Sequence, residues 1–486
     1  MDVVLKPAKM DNSSLGSFTK DQLNAYNALI KFIDDDYNPS DYKRALIGPA
    51  GTGKTYLVRE LIKNSNLSYS TIGLSAPTHK ACRILKDSIK LSGVKVNTLA
   101  SDLGFKLNFN IENFNIENPP FDPKGRVKIN DFRLYIIDEA SMIPKNLMLY
   151  LEKVCKSNSC KIIYIGDDAQ LPPVNERISP CFHGVTSYKL TEIVRQQEDN
   201  PVRYLLDILR YDIKYKTFNF LEYISKNPCR FDDDNILGYS VCNSTTFANL
   251  IYNNFSDERI TTDVDYVKII AYTNDRVAYW NNFVRNKIIS DCDKSIVTKN
   301  DLFISYVTIV NAFNAAILKN SEEYIVKDVV NYTHPIYGIK GFLVKFIAIH
   351  GGEVTTPLFV VDHKDRASMQ AYITRCNELV EIAKKTPIKT RAARWREYYE
   401  YKEAVLLLTN IANRQGKLLH SRSIDYGFAL TSHKSQGSTF NTVFVDVNDI
   451  VFDRFGRPYA DAEDINRRLY VACSRCKNKL YLRYGK

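Results

Sequence analysis

The segment from Gly48 to Thr55 has the spacing of a phosphate-binding loop, with two glycines separated by four residues and followed by lysine and threonine. An apolar strand, Ala45 to Ile47, is predicted before it and a helix, Thr55 to Lys63, after it. Backbone N–H groups and the helix N-terminus would hold a β-phosphate, Lys54 would reach the β- and γ-phosphates, and Thr55 would bind Mg²⁺. The predicted nucleotide-binding residues of the loop are Gly48, Pro49, Ala50, Gly51, Thr52, Gly53, Lys54 and Thr55.

Two acidic residues, Asp138 and Glu139, directly follow a predicted apolar strand, Leu134 to Ile137. The carboxyl ends of strands form the ligand-binding edge of a parallel sheet. Asp138 would hold Mg²⁺ through water, and Glu139 would orient and deprotonate the attacking water. Together with the phosphate-binding loop, this pair predicts hydrolysis of a nucleoside triphosphate, with Mg²⁺ as the cofactor.

The elements around these residues alternate between strands and helices, which predicts an α/β fold with parallel sheets covered on both faces. Two segments interrupt the alternation. The first, Ser101 to Asn130, is rich in Asn and Phe and predicts a hairpin. The second, Lys299 to Leu419, contains β-rich sequence and then two helical stretches, Ser368 to Lys385 and Ala392 to Leu408.

Eight motifs in order resemble the successive motifs of superfamily one helicases. The likeness is strongest to the RecD and Pif branch, and within it to the Dda helicase of bacteriophages. The motifs are Phe18 to Gln22, the phosphate-binding loop, Ser75 to Ala81, Asp138 to Met142, Gly166 to Val174, Leu190 to Arg195, Tyr426 to Thr439 and Leu469 to Arg475.

The resemblance implies two RecA-like parallel-sheet domains with an insertion in each. The first domain would span 1–194, with a hairpin at 101–130. The second would comprise 195–298 and 420–486. The segment 299–419 would form an SH3-like β-barrel with a projecting helical pair.

The resemblance also implies ATP as the nucleotide and assigns further residues to its site. Gln22 would read the adenine edge, and Gln436 and Gly437 would close on the ribose and phosphates. The residues assigned to the γ-phosphate are Gln170 as a sensor and Arg195 and Arg475 as neutralising arginines. Val194 stands where the sister branch often has an adenine-stacking tyrosine.

In the same family, loops after a strand of each sheet face single-stranded nucleic acid and contact its phosphates without reading sequence. The corresponding residues are Pro77, Thr78, His79, His433, Lys434 and Ser435. Aromatic residues of the hairpin, among them Phe105 and Phe109, would either stack on the fork base pair or anchor the hairpin. The basic and aromatic run from Lys384 to Tyr401 would either contact DNA or form a solvated helical pair.

These motifs imply an ATP-dependent helicase that translocates 5′ to 3′ on single-stranded DNA and unwinds forked duplexes, with the polarity taken from the resemblance alone. An RNA or dual-specificity helicase is one alternative. A nucleic-acid-stimulated ATPase that remodels protein–DNA complexes is another. Single-strand binding protein or replication proteins are the expected protein partners.

The composition is that of an ordinary globular protein, with 486 residues, 45% hydrophobic and 25% charged. The length suffices for about three domains, and the net charge of +11 is compatible with a polyanionic partner. No apolar run approaches the roughly 20 residues of a membrane span, and the N-terminus has no signal pattern. Ten scattered cysteines fit a reducing compartment. We therefore expect a monomeric cytoplasmic protein, in the host cytoplasm if it is phage-encoded, with no metal beyond the one carried by the nucleotide.

Overall fold

The computed structural model describes residues 18–106, 114–122, 125–192, 194, 200–263, 265–311, 316–413, 415–416 and 418–485. The chain divides into two compact units. The first comprises Met1–Val241, Ser432–Thr439 and Val445–Tyr484, and the second Cys242–Thr431, Phe440–Phe444 and Gly485–Lys486. The predicted domain boundaries stay a prediction.

A six-stranded parallel sheet with the order β3-β2-β4-β5-β1-β6 forms the centre of the first unit. Its strands are β1 (Lys43–Ile47), β2 (Ile72–Ala76), β3 (Lys95–Thr98), β4 (Leu134–Ile137), β5 (Lys161–Gly166) and β6 (Ser187–Lys189). The strands β2, β4 and β5 are buried along their whole length, as expected for a sheet covered on both faces.

Helices pack on both faces of this sheet. They are α1 (Lys20–Asp34), α2 (Lys54–Asn64), α3 (His79–Ile89), α4 (Leu99–Asp102) and α5 (Lys145–Ser157). Leu29, Leu57 and Leu85 bring α1, α2 and α3 into one core, whereas Leu147 and Leu151 of α5 lie in the core on the other face. The predicted parallel sheet is therefore confirmed, and its strands end at one edge in the phosphate-binding loop, Pro77, Asp138 and Asp167.

The rest of the first unit contains α6 (Val202–Tyr215), α7 (Asn219–Lys226), α12 (Val447–Val451) and α13 (Ala462–Ser474). A further six-stranded sheet, whose residues are divided between the ranges of the two units, has the order β20-β9-β21-β22-β8-β7. Its strands are β7 (Cys229–Phe231), β8 (Gly238–Cys242), β9 (Val267–Ala271), β20 (Ala429–Thr431), β21 (Phe440–Asp446) and β22 (Cys476–Arg483).

In the second unit, helices α8 (Ser244–Phe255), α9 (Asn274–Ile288), α10 (Arg366–Lys385) and α11 (Ile388–Ala404) accompany short and long strands. The strands are β10 (Leu302–Ser305), β11 (Ile309–Val310), β12 (Ala316–Leu318), β13 (Glu323–Thr333), β14 (Lys340–Ala348), β15 (Leu358–Val361), β16 (Val405–Leu406), β17 (Ile411–Ala412), β18 (Leu418–His420) and β19 (Ile424–Tyr426). Within the ranges given above, no helix has the length and apolar character needed to cross a bilayer.

The predicted β-barrel is not closed. The sheet has the order β16-β15-β14-β13-β10-β19, so β16 and β19 lie at opposite edges. Instead of sheet closure, the α10–α11 pair covers one face: Tyr372 and Tyr401 pack in one core with Phe359 and Val361 of β15. The helix predicted to reach Leu408 ends at Ala404 and continues as β16.

A buried ion pair anchors the segment that leads into this sheet. Arg285 of α9 donates from Nε to Oδ1 of Asp301 at 2.7 Å and from Nη2 to Oδ2 at 3.0 Å. The same guanidinium donates to the carbonyl oxygens of Cys292 at 2.9 Å and Ser295 at 2.8 Å. One side chain thus satisfies a buried carboxylate and two backbone groups of the connecting segment.

Replacing this arginine by an uncharged side chain tests its structural role. Arg285→Met leaves the Asp301 carboxylate buried without its cation, so we expect the free energy of unfolding to fall by about 3–5 kcal/mol. Lys287→Met removes an exposed cation from the same helix, and we expect a change within about 0.5 kcal/mol. Chemical denaturation followed by tryptophan fluorescence measures the free energy of unfolding of both variants. Equal losses in the two variants would contradict the structural role of Arg285.

Candidate nucleotide-binding site

The phosphate-binding loop connects β1 to α2, as predicted. The Gly48 N–H donates to the Gly166 carbonyl oxygen at 3.0 Å, which ties the start of the loop to the end of β5. Gly53 has φ +77°, and a Cβ there would lie 2.4 Å from Nε2 of Gln22. The left-handed backbone conformation favours glycine at this position. The backbone conformation of the loop therefore depends on the glycine at its C-terminal end.

Lys54 lies against the loop that precedes it. Its Nζ donates to the carbonyl oxygens of Gly48 at 2.7 Å and Pro49 at 2.8 Å. Burial lowers the pKa of Lys54, and the carboxylates of Asp167, Asp138 and Glu139 oppose that shift. The phosphates of a nucleotide would offer this ammonium charged acceptors in place of neutral carbonyls, and charge-assisted hydrogen bonds are the stronger kind.

The acidic pair at the end of β4 has an unusual backbone. The Asp138 N–H donates to the Ser75 carbonyl oxygen at 2.8 Å, and Oδ1 of Asp138 accepts from the Glu139 N–H at 2.9 Å. Glu139 has φ +52°, a left-handed conformation that is costly for a residue other than glycine and that concentrates at functional sites. Its Oε2 is buried without a hydrogen-bond partner among the described residues, so it can accept from a bound water.

The two carboxyl groups share one buried environment. Burial, and after it the neighbouring Asp138 carboxylate, raise the pKa of Glu139 to about 7 against the opposing positive charges of Arg475 and Lys54. Burial also raises the pKa of Asp138, against the effect of Lys54. A carboxyl group that changes charge near neutral pH is suited to proton transfer.

The donor set at this edge fits a divalent cation. The Thr55 hydroxyl and the Asp138 carboxylate are hard oxygen donors of the kind that Mg²⁺ prefers, and they lie at the start of α2 and the end of β4. When bound with the nucleotide, Mg²⁺ would neutralise the charge on the β- and γ-phosphates.

Residues far apart in the sequence meet beside Glu139. Gln170, in the loop after β5, is buried, and its Oε1 has no hydrogen-bond partner in the described ranges. Nε2 of Gln436 donates to the carbonyl oxygen of Leu171 at 3.2 Å. A Cβ built on Gly437 would lie 3.8 Å from Oε1 of Glu139 and 3.7 Å from the Cβ of Ala81. The structure therefore brings Gly437 to Glu139 and Gln436 to the loop that carries Gln170.

Arg475 caps the C-terminus of α13 and is 4% exposed. Its Nε donates to the Val471 carbonyl oxygen at 3.0 Å and its Nη1 to that of Ser438 at 3.2 Å. Burial lowers its pKa, and the Glu139 carboxylate is the largest opposing influence. Arg475 thus lies within electrostatic reach of the acidic pair, whereas Arg195 is outside the described residues.

Gln22 packs against the phosphate-binding loop. Its Oε1 accepts from the Thr19 N–H at 3.0 Å as part of a capping box on α1, and its Nε2 donates to the Thr52 carbonyl oxygen at 2.9 Å. These contacts hold the side chain of Gln22 against the phosphate-binding loop. Recognition of the adenine edge by Gln22 stays a prediction.

The residues predicted to contact nucleic acid lie at the starts of helices or turns. Oγ1 of Thr78 accepts from the Ala81 N–H at 3.2 Å and caps α3, which begins at His79 and follows buried Pro77. Ser435 is buried, and its hydroxyl donates to the Ser432 carbonyl oxygen at 2.8 Å. Burial lowers the pKa of the neighbouring His433, and Lys434 is half-buried. Their contacts with a strand stay predictions.

Phe105 does not lie at an exposed tip. It is buried, and its ring centroid lies 5.5 Å from that of Phe114, 5.7 Å from that of Phe121 and 5.8 Å from that of Tyr150 on α5. An enclosed ring has no free face for a base, so the predicted stacking role of Phe105 is inconsistent with this structure. The cluster instead anchors the segment to α5. Phe109 lies outside the described residues.

Four polar residues beside the site were not predicted as site residues: Asp167, Arg210, Arg467 and Tyr470. Asp167 follows β5 and is bound at 2.6 Å by both Arg210 of α6 and Tyr470 of α13. Arg467 of α13 donates to the carbonyl oxygens of Asp168 and Gln170. The sequence of an amphipathic helix does not indicate whether an arginine pairs with a buried carboxylate or faces solvent. Arg210 also lies outside the motifs, so no resemblance pointed to it.

Two family models match the chain. One described as an AAA domain matches residues 31–222, and one described as a UvrD-like helicase C-terminal domain matches residues 426–483. An uncharacterised protein of Acanthamoeba polyphaga mimivirus is 26% identical over 527 residues, covering 95% of this chain and 98% of its own.

Solved structures of similar fold include Bacteroides Pif1 bound to ssDNA, at 16% identity and a TM-score of 0.50, covering 96% of this chain and 92% of that one. Pif1 helicase from Candida albicans has 18% identity, a TM-score of 0.48 and coverages of 96% and 94%. The Bacteroides structure shows that the chain shares its fold. The predicted closeness to the Dda helicase stays a prediction.

The raised pKa of Glu139 predicts a pH-dependent stability difference between the wild type and Glu139→Gln. Between the ordinary value of 4.5 and about 7, the unfolded chain releases this proton while the folded chain keeps it. The free energy of unfolding contributed by Glu139 is therefore present below pH 4.5 and lost as pH rises to about 7.

We expect the Tm of the wild type minus that of Glu139→Gln, both without nucleotide, to decrease as pH rises from about 5 to about 8. Groups common to both proteins, such as Asp102, cancel in the difference. Thermal unfolding at matched ionic strength measures it. A difference that is constant or increases with pH would show that Glu139 is ionised throughout this range.

Proposed function

We propose that this chain is a Pif1-like superfamily one helicase, an ATP-dependent DNA helicase that translocates 5′ to 3′ and unwinds forked duplexes. The observation that carries the proposal is the meeting of the two matched regions at one site. Gln436, Gly437 and Arg475 lie within the match to a helicase C-terminal domain, and Gly437 lies against Glu139 of the AAA match.

Hydrolysis follows from the side chains of this site. The loop from Gly48 to Thr55 and the Lys54 ammonium bind the phosphates. A water molecule attacks the γ-phosphorus through its oxygen, and the Glu139 carboxylate accepts a proton from that water. The bond between the γ-phosphorus and the leaving β-phosphate oxygen breaks. Arg475 neutralises negative charge on the transferred group, a role whose loss costs on the order of 10³-fold or more in turnover.

The short separation between the predicted DNA-facing segments and the acidic pair supports coupling of ATP hydrolysis to a nucleic-acid strand. Gly437 comes two residues after Ser435, and Ala81 two residues after His79. A Cβ on Gly437 would contact both Ala81 and Glu139. A change at the γ-phosphate can therefore reach both segments through one or two residues.

DNA is the strand that we propose. Bacteroides Pif1, which shares the fold, is described as bound to ssDNA. The contacts proposed for Thr78, His79 and His433 to Ser435 would be with phosphates, which fix the position of a strand without reading its sequence. The 5′ to 3′ polarity is inferred from the branch that the motifs resemble.

Duplexes with a single-stranded tail at either end test activity and polarity together. We expect the wild type with Mg·ATP to release the strand of a 5′-tailed duplex and to leave a 3′-tailed duplex intact. Lys54→Ala, which lacks the ammonium that binds the phosphates, should bind the tail but release no strand. Gel separation of a labelled strand is the measurement.

Each departure from this result has one meaning. Release from the 3′-tailed duplex alone would reverse the polarity. Equal release with an RNA 5′ tail would make the enzyme dual-specific. ATP turnover that DNA stimulates, with no strand released from any duplex, would identify a remodelling ATPase instead of a helicase.

A further inference from the structure

A buried cluster of Asp167, Arg210 and Tyr470 lies beside the nucleotide-binding site, and we call it the Asp167 cluster. Asp167 is 2% exposed. Its Oδ1 accepts from Nη1 of Arg210 at 2.6 Å and from the Ala169 N–H at 3.0 Å, and its Oδ2 accepts from the Tyr470 hydroxyl at 2.6 Å. Arg210 also donates to the Tyr470 oxygen at 3.0 Å. The carboxylate is thus bound from α6, from α13 and from its own loop.

Asp167 follows the residue that holds the start of the phosphate-binding loop. Nζ of Lys54 donates to the Gly48 carbonyl oxygen at 2.7 Å, and the Gly48 N–H donates to the carbonyl oxygen of Gly166 at 3.0 Å. The Asp167 carboxylate raises the pKa of Lys54 and of Arg475, against burial in both cases, and it also raises that of Glu139. Arg210 acts on Lys54 in the opposite sense. A buried carboxylate that loses its cation attracts another one. Without Arg210, Asp167 would compete with the phosphates for Lys54.

The cluster also fixes the loop that carries Gln170. Nη2 of Arg210 donates to Oδ1 of Asp168 at 3.2 Å. Arg467 donates to the carbonyl oxygens of Asp168 at 2.6 Å and Gln170 at 2.9 Å. Arg467 and Tyr470 both lie on α13, the helix that ends at Arg475. The loop that carries Gln170 and the helix that carries Arg475 are therefore held together through Asp167.

We propose that Arg210 is a positioning residue for ATP hydrolysis. By pairing with Asp167 it leaves Lys54 available to the phosphates, and together with Tyr470 it holds Gln170 in register with Arg475. Arg210 acts through Asp167 and lies outside every motif named above. The choice of ATP as the substrate rests on the proposed function.

The two effects of Arg210 are separated by three variants. Arg210→Met removes the cation, and Asp167→Asn with Arg210→Met removes the cation and the charge that it compensates. Tyr470→Phe removes both hydrogen bonds of the hydroxyl, with Asp167 and with Arg210, but keeps the ion pair. Lys214→Met is the matched control, because Lys214 is an exposed cation on the same helix. The measurements are the Kd of a fluorescent ATP analogue and the kcat and KM of Mg·ATP hydrolysis with single-stranded DNA.

Arg210→Met should raise the Kd of the analogue by about tenfold or more, because Asp167 then competes for Lys54. The double variant should return the Kd to within about threefold of the wild type while kcat stays about tenfold low, because the loop remains released from α6. Tyr470→Phe should lower kcat by about threefold to tenfold with little change in Kd. Lys214→Met should match the wild type.

A Kd that the double variant does not restore would overturn the charge competition, and wild-type kcat in both the double variant and Tyr470→Phe would overturn the positioning role. If circular dichroism shows that Arg210→Met does not fold, the double variant and Tyr470→Phe still decide the kcat question. A wild type that binds the analogue but does not hydrolyse ATP would overturn the proposed function, and the Kd comparison would then decide the inference.

Discussion

Compensation of buried charge at the carboxyl edge of the first sheet is the constraint on which the structure depends. Lys54, Glu139, Asp167 and Arg475 lie close enough for each to shift the pKa of others. Burial alone would favour the neutral forms of Lys54, Glu139 and Arg475. Opposite charges offset part of that effect, because Lys54 and Arg475 act on Glu139 and the carboxylates act on both cations. A bound triphosphate, which adds negative charge, therefore changes how the cations are shared. That redistribution is the physical source of any response to ATP.

The fold places these charges by using the ends of parallel strands. The strands β1, β2, β4 and β5 end at the same edge, so the phosphate-binding loop, the α3 N-terminus, the acidic pair and the Asp167 loop converge without long connections. The C-terminal segments add Gln436, Gly437 and Arg475 to that edge. Hydrogen bonds from Gln436 and Arg467 to backbone carbonyls of the Asp167 loop make this addition specific.

The bounds of single strands could be predicted from the sequence, whereas the tertiary contacts of particular side chains could not. The strand Leu134–Ile137 has its predicted bounds, because a short apolar run beside turn residues leaves little freedom. The assignment of Gln436 and Gly437 to the ribose and phosphates stays a prediction. The barrel prediction was wrong because β16 and β19 lie at opposite edges of the sheet and do not pair. The Phe105 stacking role failed because Tyr150 offers that ring a core, and Arg210 was missed because its partner lies 43 residues away.

The account's central claim is that nucleotide chemistry at this edge is coupled to a nucleic-acid strand. The most direct measurement is the rate of ATP turnover with and without single-stranded DNA, with Glu139→Gln as the control that retains the phosphate-binding loop. The account predicts that saturating DNA stimulates the wild type on the order of tenfold or more, and that the variant stays near zero in both conditions. Stimulation below about twofold to threefold, at DNA concentrations that saturate binding, would contradict it.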